Sequence, residues 1–459
     1  MVWPMKRLLV LTMLLGLVPS YAQATESCNW DSLPGWVARE NKKVGAKDWA
    51  KSLPVKMSAD FSRRKKADRI EGYFSTTSVS CGETAELIVI NPAKKTSVSI
   101  FRTGYYKGKG ARLISKEVIR GDWSFTPSKS TPPGQYLFRL DSPGKISSFV
   151  PLVISNPSAP SEITFVSSVL TWQSYNQWGG KSLYKGEDAK KETRASEVSF
   201  DRPYDGDGAG QVRYMELPLL KIAEKLGIDI SYATDFDLDT NKELLKNTNA
   251  VLFGGHSEYW TIQMRASIEE AIANGVNLIV LGGNTAYNKT TFSLDRRSMS
   301  EIIPWRDPKV NAPESIFLGS QFIALGIRRD LIISNPLRWP FSTLENVTKI
   351  EGVMGYEVDS PLGSPGPGVE SLGVMNILPT EKRIAAMSTY YSVLSGAGVL
   401  NIGTNGWVCA IENICPWGHK FSTATSTVIA TVTQEILRKA ATPKLGETHP
   451  AIIDIPERL

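Results

Sequence analysis

Histidine and cysteine are scarce in this sequence, with three His and four Cys among 459 residues. Four Cys staple a core and cannot replace one, so a disulfide-dense mini-protein is excluded. Histidine and thiolate donors are too few for a multi-histidine or thiolate-rich motif, so oxygen donors are expected to carry most of any metal's coordination. Long apolar runs are missing too, apart from one at the N-terminus, which excludes a polytopic membrane protein. Charge of one sign is not in excess enough to mark a nucleic-acid binder: the formal charge is +6 and the basic residues are scattered. The densest basic run, Arg63-Arg64-Lys65-Lys66, is flanked by acids and reads as solvated surface. What is present is a 42% apolar content with 12 Trp, which excludes disorder, and a length that predicts two or three domains.

The single N-terminal run reads as a secretion signal. Lys6 and Arg7 precede the apolar stretch Leu8 to Val18, and Ala22-Gln23-Ala24 supplies a small-x-small pattern, so cleavage is expected after Ala24. A retained anchor is the alternative. No Cys stands directly after the cut, which argues against a lipoprotein. Loss of residues 1–24 removes two basic residues, leaving +4 from 50 basic and 46 acidic side chains. The mature chain is thus expected to be exported, periplasmic or secreted, without stable membrane insertion. In an oxidising compartment the cysteines should pair. Cys409 and Cys415 suit a small loop, and Cys28 and Cys81 would tie the N-terminal segment to the adjoining domain. A zinc site from Cys409, Cys415 and His419 is the alternative, with no evident fourth ligand.

Residues 25–70 form a polar lead-in. Ala85 to Ile90, Ser97 to Arg102 and Gln135 to Leu140 are short β-forming runs punctuated by Gly and Pro, which predicts a small β-sandwich over 71–155. Asn156-Pro157-Ser158-Ala159-Pro160 reads as a linker. Beyond it strands and helices alternate: strands at Ile163 to Val169, Ile228 to Ala233, Asn249 to Phe253, Val276 to Leu281 and Val399 to Ile402, and helices at Tyr214 to Leu226, Thr261 to Ala273 and Ser422 to Ala440. Continuous apolar strands alternating with helices predict an α/β domain over 161–441 with a doubly wound, mainly parallel sheet. Residues 442–459 read as a tail.

Ligands of open parallel sheets collect at the carboxyl ends of the strands. Three strand ends here carry polar residues that packing does not require: the Thr171 to Gly180 string with Tyr175, the Gly254-Gly255-His256-Ser257-Glu258-Tyr259-Trp260 turn, and Gly282-Gly283-Asn284. His256 two residues before Glu258 offers proton transfer or metal ligation. The plainer alternative is a helix start, with Ser257 as cap and Glu258 at the positive end of the dipole. A serine hydrolase is disfavoured, because the G-x-S-x-G elbow is absent at Ser257. Asp235-Phe236-Asp237-Leu238-Asp239 imitates an EF-hand loop, but Thr240 and Lys246 stand where Gly and Glu are needed, so a strand end with helix-start acids is expected.

Seven strings together carry a resemblance. They are Phe101 to Arg112, Pro133-Gly134-Gln135-Tyr136, the Tyr175 string, Ser199 to Tyr204, Gly255 to Trp260, Gly355 to Asp359, and Gly403-Thr404-Asn405-Gly406-Trp407. In order and spacing they resemble the C-terminal region of the N,N-dimethylformamidase large (β) subunit, over about residues 75–440. The resemblance implies an Ig-like β-sandwich followed by a class I glutamine-amidotransferase-like domain. It implies one Fe(III) per chain, held by Tyr136, Tyr175 and Glu258, with His256, Asn284 and Glu357 beside it. It further implies hydrolysis of an amide-type C–N bond in a small substrate. Taken alone, Tyr136 would be a sandwich-core or interface aromatic, Tyr175 part of an aromatic cluster with Trp172 and Trp178, and Asn284 a strand terminator. Ser257 departs from the Pro common in the family. Export sets the chain apart from cytoplasmic dimethylformamide breakdown, so a different substrate is expected. The contrasting expectation is a non-catalytic exported binder of a glycan or cell-envelope ligand, using a cleft with Trp172, Trp178 and Trp260. The oligomeric state is not legible.

Overall fold

The computed structural model describes residues 34–50, 69–156, 160–376 and 385–458. The expected signal segment, Cys28 and the Arg63 to Lys66 run lie outside the described residues.

The first unit is built from two sheets. Three strands, Glu71–Phe74, Ala85–Ile90 and Trp123–Phe125, form one; five, in the order Ser78–Val79, Ser148–Ile154, Gly134–Asp141, Thr96–Thr103 and Ala111–Ile119, form the other. Between them lies one apolar cluster that includes Phe74, Leu87, Val98, Ile100, Phe138 and Leu152. In Ala85–Ile90 burial alternates residue by residue, as a half-exposed strand requires. Thr96–Thr103 is buried throughout, because its two faces meet different partners. Val98 and Ile100 enter the sandwich cluster, whereas Phe101 joins the core of the second unit.

The second unit is organised by a nine-stranded sheet. Ile230–Thr234, Ser161–Ser167, Thr248–Phe253, Asn277–Val280 and Gly398–Asn401 run parallel to one another. Met387–Ser392, Glu370–Met375, Gln321–Ile333 and Lys349–Ser360 then extend the sheet antiparallel. The expected mainly parallel sheet is therefore corrected to a mixed one. Its antiparallel half comes from residues 321–392, where β-formers alternate with polar residues and the apolar runs typical of parallel strands are absent.

Side-chain alternation in the parallel strands feeds two cores. Ala250 and Leu252 face one with helix residues Leu219, Ile222 and Ile436, while Val251 and Phe253 face the other with Met264 and Ile268. The helices start and stop where local chemistry dictates. Thr261 caps Ile262–Ala273 through a hydrogen bond from the Met264 amide, Ser422 caps Thr423–Ala440 through the Thr425 amide, and Gly227 at φ 76° ends Leu217–Leu226. Thr234 and Asp237 form a capping box on Asp235–Thr240, the helix start expected in place of a calcium loop. A separate four-stranded sheet joins Glu197–Ser199, Ser298–Pro304, Asn288–Phe292 and Tyr259–Trp260.

Cys409 and Cys415 form a disulfide, which overturns the zinc alternative because both sulfurs are consumed. Cys81 is also disulfide-bonded. The segment expected as a tail folds back onto the domain, with Ile455 bridged to Val369 and Arg458 to Gly366. Among the described residues no helix is long and apolar enough to cross a membrane.

Candidate metal centre

Four chain segments meet at the carboxyl edge of the parallel strands. Tyr175 closes the helix Val169–Tyr175, which comes after strand Ser161–Ser167. His256 and Glu258 come after strand Thr248–Phe253, and Asn284 after strand Asn277–Val280. Glu357 comes from the antiparallel strand Lys349–Ser360. The two glycine pairs make this meeting possible. A Cβ on Gly282 would lie 2.7 Å from the Gly255 carbonyl oxygen, so the two turns touch backbone to backbone.

The donor atoms converge. One ligand-capable atom from each of His256, Glu258 and Glu357 lies within 4.8 Å of the others. His256 Nε2 stands 3.4 Å from Glu258 Oε2 and 3.3 Å from Glu357 Oε2. These distances bring the charges together, but the angles make no hydrogen bond, and Nε2 is buried without a partner. Tyr175 donates its hydroxyl to Glu258 Oε2 at 2.5 Å. Glu258 Oε1 accepts from Asn288 Nδ2 at 2.7 Å, and the Glu258 amide donates to Thr171 Oγ1 at 2.9 Å. Glu357 Oε2 accepts from Asn405 Nδ2.

Burial and like charge set the ionisation. Burial opposes a charged imidazole at His256, but the Glu357 and Glu258 carboxylates outweigh it and push the ring up to about 10. Burial raises Glu258, and the Glu357 charge adds to it. The Tyr175 phenol is held well above its ordinary value by burial and by Glu258. Two buried carboxylates and a phenol form an oxygen donor set that a hard cation would satisfy, with the His256 imidazole beside it to hold a proton.

Tyr136 is not brought into this cluster. It lies in the sandwich core with Phe138, and its hydroxyl donates to the Pro132 carbonyl at 2.6 Å. Strand parity is the reason. In Gly134–Asp141 it is Gln135 that turns toward the second unit, where its amide donates to Ser167 and Glu216. The expected Tyr136 ligand is corrected accordingly. Asn284 is buried at a left-handed φ of 56°. Its amide donates to Asp359 Oδ1 at 2.8 Å and its Oδ1 has no partner. Ser257 does not cap a helix; its Oγ accepts from Trp260 Nε1, and Tyr259–Trp260 is a short strand.

A cavity of about 270 Å³ opens beside the cluster. Tyr175, His256, Glu357 and Asn405 line it, and Asn284 does not. Trp172 reaches it, but Trp178 and Trp260 do not. Trp260 is fully buried and Trp178 Nε1 donates to Glu71, so the cleft expected from those three Trp is corrected. Its other aromatic walls are Tyr184, Tyr204, Tyr356 and Trp417. Sequence reasoning missed Asn288, Tyr184 and Trp417. Asn405 stands in one of the strings that carry the resemblance, without a role assigned there.

No curated protein matches the chain closely enough to count as a relative. The model of the family described as N,N-dimethylformamidase beta subunit-like, C-terminal, in contrast, matches residues 97–419. That span holds Tyr175, His256, Glu258, Asn284 and Glu357 together, and the chain belongs to this family.

Proposed function

We propose that the protein is an exported, metal-dependent hydrolase of amide-type C–N bonds, with iron as the metal. The observation that carries this reading is the convergence of His256, Glu258, Glu357 and Tyr175, with His256, Glu357 and Tyr175 on the wall of one cavity and Glu258 directly behind them. Family membership supports the amide chemistry. We also read the two-sheet unit as Ig-like and the mixed-sheet unit as amidotransferase-like.

Glu258 and Tyr175 are the residues that would hold the ion, with His256 and Glu357 at its side. Carboxylate and phenolate are hard oxygen donors suited to Fe(III). When bound, the ion supplies Lewis acidity toward an amide oxygen and lowers the pKa of water. The chain's own residues do the rest. Asn288 fixes the Glu258 carboxylate, so it does not swing away. Asn405 orients Glu357 toward the cavity. His256 and Glu357, both on the cavity wall, hold and deliver the proton that the departing amine needs at nitrogen. Asn284 acts at one remove, through the turn that packs on the Glu357 backbone: a Cβ on Gly283 would lie 2.9 Å from the Glu357 carbonyl oxygen.

The test is elemental and visible analysis of the purified full chain. About one iron per chain, with an absorption band of phenolate bound to iron, is expected. Colourless protein that takes up no iron on reconstitution would overturn the reading. Glu258→Gln should lose iron and amide hydrolysis together; hydrolysis that survives it would place the chemistry elsewhere.

A further inference from the structure

The cavity wall beside Glu357 carries a pair of stacked rings. Tyr356 and Trp417 lie face to face, with ring centroids 4.2 Å apart and planes within 15°, as a two-layer aromatic plate. Tyr356 and Glu357 are neighbours in a strand, where adjacent side chains ordinarily face opposite ways. Here both line the same cavity. The backbone accounts for this. Tyr356 has a φ of 61°, and the ladder to Gln321–Ile333 slips between Leu325 and Ile327, with Gly326 at φ 76° as the extra residue. A bulge of this kind re-aims a side chain. A left-handed tyrosine costs on the order of 1–3 kcal/mol, a strain that clusters at functional sites.

Trp417 is fixed from the other side. The Cys409–Cys415 disulfide ties the chain just before Pro416-Trp417 to the helix Gly406–Ile411. That helix begins directly after Asn405, the donor to Glu357. The plate and the carboxylate are thus held by the same two pieces of chain. Tyr184 stands at the mouth, 46% exposed, with its ring 5.0 Å from that of Tyr175. The cavity's 270 Å³ far exceeds the ~10–15 Å³ that suffices to hold one water, so it has room for more than a small solvent-sized molecule.

We propose that the substrates of this site are amides bearing a flat aryl group on nitrogen, with the aryl ring stacked on the Tyr356–Trp417 plate and the amide at His256 and Glu357. This rests on the amide-hydrolase reading. The nitrogen side is assigned to the plate because Tyr356 adjoins Glu357, a residue placed to protonate the leaving nitrogen. Water cleaves the C–N bond; its oxygen goes to the acyl carbon, and the nitrogen gains the proton and leaves as an arylamine.

The test compares formanilide, N-cyclohexylformamide and dimethylformamide. Calorimetric binding to the full-length metal-free protein should favour formanilide over N-cyclohexylformamide by about three- to tenfold, the usual value of aromatic stacking. Trp417→Ala should abolish that preference. Tyr184→Ala, which removes a half-exposed ring from the cavity lining, should reduce it. Equal affinities for the two bulky amides, or a preference unchanged in both variants, would overturn the proposal. Hydrolysis by the iron-loaded protein separates the two levels. Turnover without aryl preference removes the plate's role and keeps the hydrolase. Plate-dependent binding without turnover of any of the three amides removes the hydrolase and leaves a wall that binds aryl ligands.

Discussion

Tyr136 and Tyr175 place the same phenol in opposite surroundings. Tyr136 is buried and Tyr175 half-buried, and desolvation holds both well above the ordinary tyrosine value. Tyr175 faces the Glu258 carboxylate and the cavity, where a cation would stabilise its anion. Tyr136 faces Phe138 and gives its proton to a carbonyl, which offers an anion nothing. The two substitutions should therefore separate cleanly. Tyr175→Phe is expected to abolish the iron–phenolate absorption while the fold persists. Tyr136→Phe should leave iron content and colour unchanged and lower stability by about 0.5–1.5 kcal/mol through the lost hydrogen bond, read by denaturant titration. Loss of colour in Tyr136→Phe would restore the two-tyrosinate ligand set.

At the scale of elements, the site is a product of turns pressed together. The Gly254-Gly255 and Gly282-Gly283 turns end adjacent parallel strands, and their backbones come closer than any Cβ permits. A methyl on Gly282 meets the backbone of Gly255 and Gly254 at 2.7 to 2.9 Å, where no flexible side chain can yield. Gly282→Ala is expected to cost about 1–3 kcal/mol, as overpacking does, and to weaken metal retention by parting the His256 turn from its neighbour. Denaturation and iron content measured on the same variant check both halves. These turns were legible in the sequence as Gly pairs after apolar runs, and so were His256 and Glu258, polar residues that strand packing does not explain. Tyr136 was not, because a one-residue change of parity reverses the face of every side chain in a strand and a single sequence does not fix that parity. The partners Asn288 and Asn405 were equally hidden, since they approach Glu258 and Glu357 from segments distant in sequence.

Across the whole molecule, the buried contacts that join the sandwich to the second unit include Arg102 with Glu224 and Gln135 with Glu216. Arg102, in Thr96–Thr103, pairs with Glu224 of the helix Leu217–Leu226 at 2.7 Å, both side chains fully buried. Arg102→Met strands the Glu224 charge and should destabilise the protein by about 3–5 kcal/mol. Adding Glu224→Gln should recover part of that loss, a non-additivity that denaturant titration of the single and double variants would reveal. The other contact is pH-sensitive. Burial outweighs the hydrogen bonds that Ser168, Ser167 and Gln135 give to Glu216 and raises its carboxyl to about 8. From the ordinary glutamate value of 4.5 up to about 8 the folded chain holds a proton that the unfolded chain has released. Stability from this group is complete below that window and declines as pH rises through it. Glu216→Gln should therefore gain on the wild type as pH goes from about 5 to about 8, measured as the difference in unfolding free energy; a difference independent of pH would refute the assignment.

The sequence by itself determined the order of elements, the glycine turns at the strand ends, the scarcity of nitrogen and sulfur ligands, and the pairing of His256 with Glu258. These are local matters, set by periodicity, capping residues and composition within a few positions of each other. Tertiary structure alone decided that the sheet is half antiparallel, that Tyr136 faces inward, and that Tyr356, left-handed opposite a bulge at Gly326, stands beside Glu357 at the cavity. Each of those depends on strand register and on which chain segment arrives as neighbour, and hydrogen-bonded pairing between distant residues fixes both.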